Sequence, residues 1–213
     1  MPELPEVETV RRGLAHFLTG YTFRTSQDLH PRVLKPASIA PLSAVEGARI
    51  TSIERRGKFL WFELNRDVAL VAHLGMSGQF LVARKDRPEP THVRARFTLK
   101  RGLKTHELAF SDQRTFGWLS VEKLADGIPQ SAEHIAVDPF DPAFDRDVVI
   151  AKIKSRKAAI KNLILNQEIM SGVGNIYADE SLWRAKIHPE VPANALSTKK
   201  IGSLVDAATE VMA

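Results

Sequence analysis

The sequence predicts an α+β fold: an N-terminal helix and an antiparallel β-sandwich, followed by an all-α domain. Three observations carry this: a helical apolar period at the start, a period-two pattern in the middle, and helical period again after a proline-broken stretch. Residues 5–19 read as a helix, with Val7, Val10, Leu14, Phe17 and Leu18 at helical spacing. Pro5 suits its first turn, Glu6 and Glu8 suit its positive end, and Gly20 ends it. From Ile50 to about Val121 the pattern is of strands. Val93, Ala95, Phe97 and Leu99 alternate with Arg94, Arg96 and Thr98. Segments 58–64, 68–74, 79–83 and 106–110 also read as strands, separated by Gly and polar turns. Strands in succession without intervening helices indicate a sandwich.

Gly127, Pro129, Pro139 and Pro142 break regular structure over 126–145, which reads as an interdomain linker. The expected domains are therefore 1–130 and 131–213. Beyond the linker, Ile150, Ile153, Ile160 and Ile164 fit one face of a helix from about 147 to 165. A loop over 166–174 precedes a second helix opening near Asn175. Thr198 is expected to cap a third, with Ile201, Leu204, Val205, Ala208 and Val211 as its buried stripe. Ala213 falls inside that stripe without a stop signal, so the natural protein is expected to continue.

Composition narrows the function classes. Hydrophobic residues make up 44% of the 213, a globular balance. No apolar run is long enough to cross a bilayer, and the acidic start is no secretory signal. These readings point to the cytoplasm and away from a membrane. The absence of cysteine removes disulfides, thiolate chemistry and Cys-ligated zinc. A net charge of +5 favours an anionic partner, nucleic acid being the commonest.

The chemistry begins at the N-terminus. Removal of Met1 would leave Pro2 as a secondary amine, and an α-amino group titrates near ~8, well below lysine. Such an amine can attack the anomeric carbon of a deoxyribose and form an iminium, with Glu3 beside it to move protons. A frayed terminus is the plain alternative. Lys58 shares strand parity with Leu60, Phe62 and Leu64 after Gly57, so it tends to the buried side, where a lysine needs a partner or a purpose. Lys152, Lys154, Arg156, Lys157 and Lys161 lie close together without an acid among them. On one helix they partly share a face, either a basic ridge for a nucleic-acid backbone or a solvated surface. Gly172-Val173-Gly174-Asn175 offers N–H groups at a helix N-terminus, a seat for phosphate or simply a tight turn.

Five segments in order, MPELPEVETVRRGL at the start, RRGKFLWFEL at 55–64, HLGMSG at 73–78, DQRTFG at 112–117 and GVGNIYADESLWRAKIHP at 172–189, resemble the formamidopyrimidine-DNA glycosylases. The resemblance spans essentially the whole chain. Leu4 favours this family over the sister endonuclease VIII type, whose start typically reads Pro-Glu-Gly-Pro-Glu.

The resemblance implies a second domain of helix-two-turn-helix type. It also implies a bifunctional glycosylase and abasic-site lyase that excises oxidised purines (8-oxoguanine, formamidopyrimidines) during base excision repair. By resemblance Pro2 is the Schiff-base nucleophile, Glu3 the proton donor, and Lys58 the lysine that assists base departure and β-elimination. An enzyme acting on a base in duplex DNA must flip it out and fill the gap. Met76, Arg114 and Phe116 align with the residues that do so, Arg114 in a local sequence that departs from the commoner Asp-Pro-Arg-Arg-Phe. Without the resemblance, Met76 and Phe116 would read as core and Arg114 as a solvated charge. His73, His92, Lys152, Lys157 and Asn175 match further DNA contacts, Arg114 being among them. The implied partner is damaged double-stranded DNA, bound by a monomer in the bacterial cytoplasm at the nucleoid. No cofactor is expected in this chain, because the family's zinc belongs to a C-terminal four-cysteine hairpin missing from these residues. The alternatives are an endonuclease VIII-like oxidised-pyrimidine glycosylase and a non-catalytic remnant that binds damaged DNA.

Overall fold

The structure, a computed structural model, describes residues 2–82 and 90–213. Met1, and Ala83 at the end of the expected 79–83 strand, lie outside the described residues. Two compact units result. One holds Pro2, Glu6–Arg55 and Phe59–Glu133; the other holds Glu3–Pro5, Arg56–Lys58 and His134–Ala213. The helical unit therefore claims two short pieces of the N-terminal sequence.

From Glu6 onward, α1 (Leu4–Leu18) belongs to the first unit; the helix begins one residue earlier than expected. Val7, Leu14 and Leu18 are buried, but Phe17 is exposed and does not belong to the apolar stripe. At the end of the helix Gly20 adopts φ +85°, a left-handed conformation open to glycine at little cost.

Among the described residues nine strands follow: β1 (Thr22–Asp28), β2 (Ile50–Arg56), β3 (Phe59–Leu64), β4 (Val68–His73), β5 (Gly78–Val82), β6 (Val93–Arg101), β7 (Lys104–Asp112), β8 (Trp118–Ala125) and β9 (Ile128–Pro129). They form two sheets, ordered β1-β6-β7-β5 and β2-β3-β4-β8-β9. The β6–β7 pair runs antiparallel, with Phe97 opposite Leu108, and β3–β4 pairs Trp61 with Val71. The alternation in β6 is real, for Ala95, Phe97 and Leu99 are fully buried. β1 lies before the region expected to hold strands. Its sequence, TFRTSQD, has no apolar alternation and buries only Phe23, so its pairing to β6 rests mainly on backbone hydrogen bonds, joined by the Phe23–Phe97 ring contact and a Thr25–Thr98 hydroxyl bond.

Aromatic rings link the two sheets. Phe62 of β3 packs edge-on against Phe23 of β1 and Phe80 of β5, with centroids 6.1 and 5.5 Å apart. Each such pair contributes about 0.5–1.5 kcal/mol beyond simple burial.

The stretch expected as a linker begins with β9 and a 3-10 turn, Gln130–Ala132, and buries Ala132 and Ile135. In the helical unit the expected helix over 147–165 is two helices, α2 (Arg146–Lys154) and α3 (Ile160–Ile164). Backbone pairing across the unit breaks it. Ala159 is extended at ψ 136°, Ile160 N donates to Val191 O, and Ala193 and Asn194 N donate to Ala158 and Arg156 O. All four isoleucines are nevertheless buried, since both helices face the same core. Asp145 caps α2 by accepting from Asp147 and Val148 N–H.

After α3, two turns lead into α4 (Asn175–Ala185), completing the helix-two-turn-helix arrangement. The last helix, α5 (Thr198–Met212), is capped by Ser197 rather than Thr198. Ile201, Leu204, Val205 and Ala208 are buried as expected, whereas Met212 rather than Val211 closes the stripe.

Candidate functional site

Within the helical unit, Glu3 and Lys58 meet one loop. The N-terminus of α4 presents N–H groups that no helical carbonyl can satisfy, and its cap residue, Gly174, has no side chain to serve them. The Glu3 carboxylate does so from 171 positions away. It accepts from Gly174 N at 2.7 Å, Ile176 N at 2.9 Å and Tyr177 N at 3.2 Å. A carboxylate there is favoured both by direct hydrogen bonds and by the helix dipole. Of the N–H groups read as a seat for phosphate or a tight turn, that of Gly174 is engaged by Glu3, together with those of Ile176 and Tyr177 beyond it. A Cβ on Gly174 would overlap the Glu3 carboxyl group, and one on Gly172, at φ +96°, would overlap Leu4. Leu4 N also donates to Gly172 O at 3.1 Å.

Lys58 is not on a strand. It lies in the turn between β2 and β3, after Gly57 at φ +55°, so its burial does not follow from sheet parity. It is buried within the helical unit, where Nζ donates to Val173 O at 2.9 Å. Burial lowers the Lys58 pKa below the ordinary lysine value, and the charge of Glu3 partly offsets this. The end of the loop and the first turn of α4, residues 172–177, therefore hold a carboxylate through N–H groups and an amine through a carbonyl. Gln167 braces that loop, donating to Leu165 O and Val173 O and accepting from Gly172 N, each at 2.9 Å.

In the sandwich unit the three residues expected to fill a base stack come together. Arg114 Nη1 lies 3.5 Å from Met76 Sδ, and its guanidinium sits 5.8 Å from the centre of the Phe116 ring. Met76 is 42% exposed and Phe116 57%, so neither is core. Their loops are fastened by Asp112, which sequence reasoning did not single out. Its carboxylate accepts from Ser77 Oγ, Arg114 N and Gly117 N. An Asp two residues before a loop position is a recognised turn signal, and that was the available clue.

His73 is half-buried. Its Nδ1 accepts from Gly75 N at 3.1 Å, and its ring stacks on Trp118 at 5.7 Å. His92 is exposed at φ +56°, and its carbonyl accepts from Asp112 N.

Of the five residues expected to form a basic ridge, Lys152 lies in the last turn of α2 and is exposed, as are Arg156 and Lys157 in the connection to α3. Lys154 turns inward to the carbonyls of Asn194 and Leu196, and Lys161 pairs with Asp179 at 2.6 Å. With the helix broken, the single basic face does not form. Asn175 is the exposed first residue of α4. Among the described residues, no group of three His, Asp or Glu side chains converges as a metal site. The sequence has no cysteine from which a four-cysteine zinc centre could be built.

Comparison with known proteins agrees with this geometry. The family model for the formamidopyrimidine-DNA glycosylase N-terminal domain matches residues 1–119, and that for the formamidopyrimidine-DNA glycosylase H2TH domain matches residues 135–213. The formamidopyrimidine-DNA glycosylase of Corynebacterium glutamicum strain R is 45% identical over all of this chain and 77% of its own length. That of a Nocardioides strain is 46% identical over all of this chain and 73% of its own length. Among solved structures, the Lactococcus lactis enzyme bound non-covalently to DNA containing an AP site has a TM-score of 0.83 at 32% identity, covering 99% of this chain and 80% of that one. The protein from Thermus thermophilus has a TM-score of 0.82 at 38% identity, covering 99% and 74%. The chain belongs to the formamidopyrimidine-DNA glycosylase family.

Proposed function

We propose that this protein is a bifunctional DNA glycosylase and abasic-site lyase that removes oxidised purines, 8-oxoguanine and formamidopyrimidines, from damaged double-stranded DNA. It works as a monomer in base excision repair, in the bacterial cytoplasm. The division into a catalytic domain, 1–130, and a DNA-binding domain, 131–213, belongs to the same reading. The observation that carries it is that Glu3, directly after Pro2 in sequence, and Lys58 are both held by adjacent residues of one segment of the helical unit, Gly174 and Val173. Family membership and the abasic-site DNA held by the Lactococcus lactis relative support it.

In this mechanism the damaged nucleotide is flipped from the helix and Met76, Arg114 and Phe116 fill the gap. The Pro2 amine adds to C1′ of the deoxyribose as the glycosidic bond breaks, and the base leaves with the bonding pair and a proton. Glu3 protonates the ring oxygen as the sugar opens, and the amine–C1′ bond becomes an iminium. Loss of a C2′ proton then expels the 3′ phosphate by β-elimination, and Lys58 assists both base departure and elimination. His73, His92, Lys152, Lys157 and Asn175 hold the DNA, with Arg114 on the orphaned base.

Borohydride reduces an iminium to a stable amine, so the test is covalent trapping. The wild-type chain is expected to trap on DNA carrying 8-oxoguanine or an abasic site. Pro2→Gly, or an uncleaved N-terminal tag, should lower trapping by orders of magnitude. Undiminished trapping in the tagged protein would move the Schiff base to a lysine.

A further inference from the structure

Asp112 is the last residue of β7 and is fully buried, although nothing in a sandwich core requires a carboxylate. Among the described residues its carboxylate oxygens accept from one hydroxyl and two backbone N–H groups rather than from a cationic side chain, while Arg94 Nε donates to its backbone carbonyl at 2.8 Å. Burying an acidic group without a counter-charge is costly unless hydrogen bonds replace the lost water. Those bonds are placed systematically. Oδ1 accepts from the hydroxyl of Ser77, the residue after Met76, and from the N–H of Arg114 at 3.2 Å. Oδ2 accepts from the N–H of Gly117, the residue after Phe116, at 2.7 Å. The Arg114 N–H is shared with Ser77 Oγ at 3.1 Å, which closes the two loops on each other. One carboxylate thus touches, at or beside each, all three residues of the exposed cluster.

The cluster has little else to fix it. An arginine beside a thioether and a ring contribute only weak mutual contacts. Below it, by contrast, the backbones are in close contact. A Cβ on Gly75, at φ +59°, would overlap the backbone of Phe116 and Gly117, and one on Gly117 would crowd the carbonyls of His73 and Leu74. Thr115, between Arg114 and Phe116, is held at φ +55°, a conformation a β-branched residue adopts only when its surroundings impose it. The Asp112 backbone extends the same control to His92, whose carbonyl accepts from Asp112 N at 3.0 Å.

We infer that Asp112 is a positioning residue for lesion recognition: it sets the two loops so that Met76, Arg114 and Phe116 enter the base stack as one preformed wedge. The inference rests on the proposed stack-filling role of those three residues. The probe is a duplex bearing a tetrahydrofuran abasic analogue, with fluorescent 2-aminopurine opposite it to report the orphaned base. The wild-type chain should change the fluorescence on binding and prefer this duplex over an undamaged one. Asp112→Asn turns one acceptor into a donor facing a donor. It should lower that preference about tenfold or more, the scale of a small misplacement of a working group, and abolish the fluorescence change while cooperative melting persists. Ser77→Ala removes one partner and should cause a smaller loss in the same direction. If Asp112→Asn does not fold, Ser77→Ala decides. A folded variant that melts earlier yet keeps the full preference and fluorescence change would make Asp112 a support of the sandwich alone and overturn the inference. An intact response after joint replacement of Met76, Arg114 and Phe116 by Ala, or no response in the wild-type chain, would instead overturn the stack-filling role itself.

Discussion

Glu3 and Lys58 lie in the helical unit only 2% and 9% exposed, whereas Met76 and Phe116 stand on the sandwich unit 42% and 57% exposed. The buried pair is polar and its geometry is fixed by hydrogen bonds to backbone atoms of one loop. The exposed group is largely apolar and fixed from beneath, by glycine contacts and a buried carboxylate. Desolvation accounts for the contrast. Burial lowers the Lys58 pKa, which suits the proton-transfer role proposed for it, while the base-stack role proposed for Met76 and Phe116 requires that they remain available to a partner. Polar substitutions in the buried pair should therefore cost rate, and changes in the exposed group should cost discrimination.

The sharpest way to break that comparison is at Glu3. In Glu3→Gln an amide NH2 must face the N–H donors of α4 or turn away from them, and the proposed proton donor is lost. Excision in single-turnover assays should fall by about 10²–10⁴-fold, the usual range for a general acid, with some loss of helix capping. A loss of less than tenfold would reduce Glu3 to a helix cap. Next comes Lys58→Ala, expected to slow 8-oxoguanine excision by about 10²-fold and cleavage of a preformed abasic site by less. Equal losses on the two substrates would mean that Lys58 only holds DNA or the fold.

The lowered pKa of Lys58 adds a pH signature. Excision that needs its protonated form should decline on a limb below the ordinary lysine range, and Lys58→Arg should lack that limb. For stability the sign is opposite to that of a salt-bridged lysine. The fold disfavours the charged form, so the penalty is full below the folded pKa and fades as pH rises toward the unfolded value. Lys58→Met should therefore melt higher than wild type at neutral pH, with a gain that shrinks in alkali.

The two sites also differ in how far the sequence revealed them. The exposed cluster was legible only through the family resemblance, whose short motifs contain Met76, Arg114 and Phe116; from the residues alone Met76 and Phe116 read as core and Arg114 as a solvated charge. The cradle for Glu3 was not, because its donors come from residues 174–177, brought to the N-terminus by tertiary structure that no local period encodes. The same cause explains the single helix expected over 147–165. Its apolar spacing is continuous, and only the pairing of 156–160 with 191–194 breaks it. β1 was missed for the converse reason, since a strand held by backbone bonds at a sheet edge needs no apolar alternation. Lys58 was assigned its burial on strand parity, yet it is buried in a turn.

A carboxylate on the sandwich unit provides a control for the buried pair. Glu8 of α1 is held by Arg11, Arg12 and Arg55, at 2.7–3.0 Å. The Arg11 hydrogen bonds, helped by Arg55 and Arg12 and opposed by burial, bring its pKa down to about 2. A depressed carboxylate stabilises the fold above its ordinary value of 4.5, and the contribution is lost as pH falls toward about 2. Glu8→Gln should thus lower Tm by roughly 2–4 °C at neutral pH, the gap from wild type closing through that acid window. A gap that persists at the acid end would assign the effect to packing. Abasic-site cleavage should be little changed, in contrast to Glu3→Gln.

The smallest effects concern the lysines of the helical unit, where exposure again separates two roles. Lys152 is exposed at the end of α2, while two residues later Lys154 Nζ donates to the carbonyls of Asn194 and Leu196 at 2.7 and 2.6 Å. If Lys152 neutralises a phosphate, Lys152→Ala should weaken binding to lesion and undamaged duplexes alike. It should also make the log–log salt slope shallower by about 0.9, the value of one counterion released. Lys154→Ala should leave that slope unchanged and instead lower Tm, because two carbonyls lose a charged donor. Arg156 and Lys157 are exposed in the connection between α2 and α3, and each is expected to follow Lys152 rather than Lys154. Were Lys154→Ala to change the slope as much as Lys152→Ala, the inward hydrogen bonds would have to give way when DNA binds, and the continuous ridge read from the sequence would return in the complex.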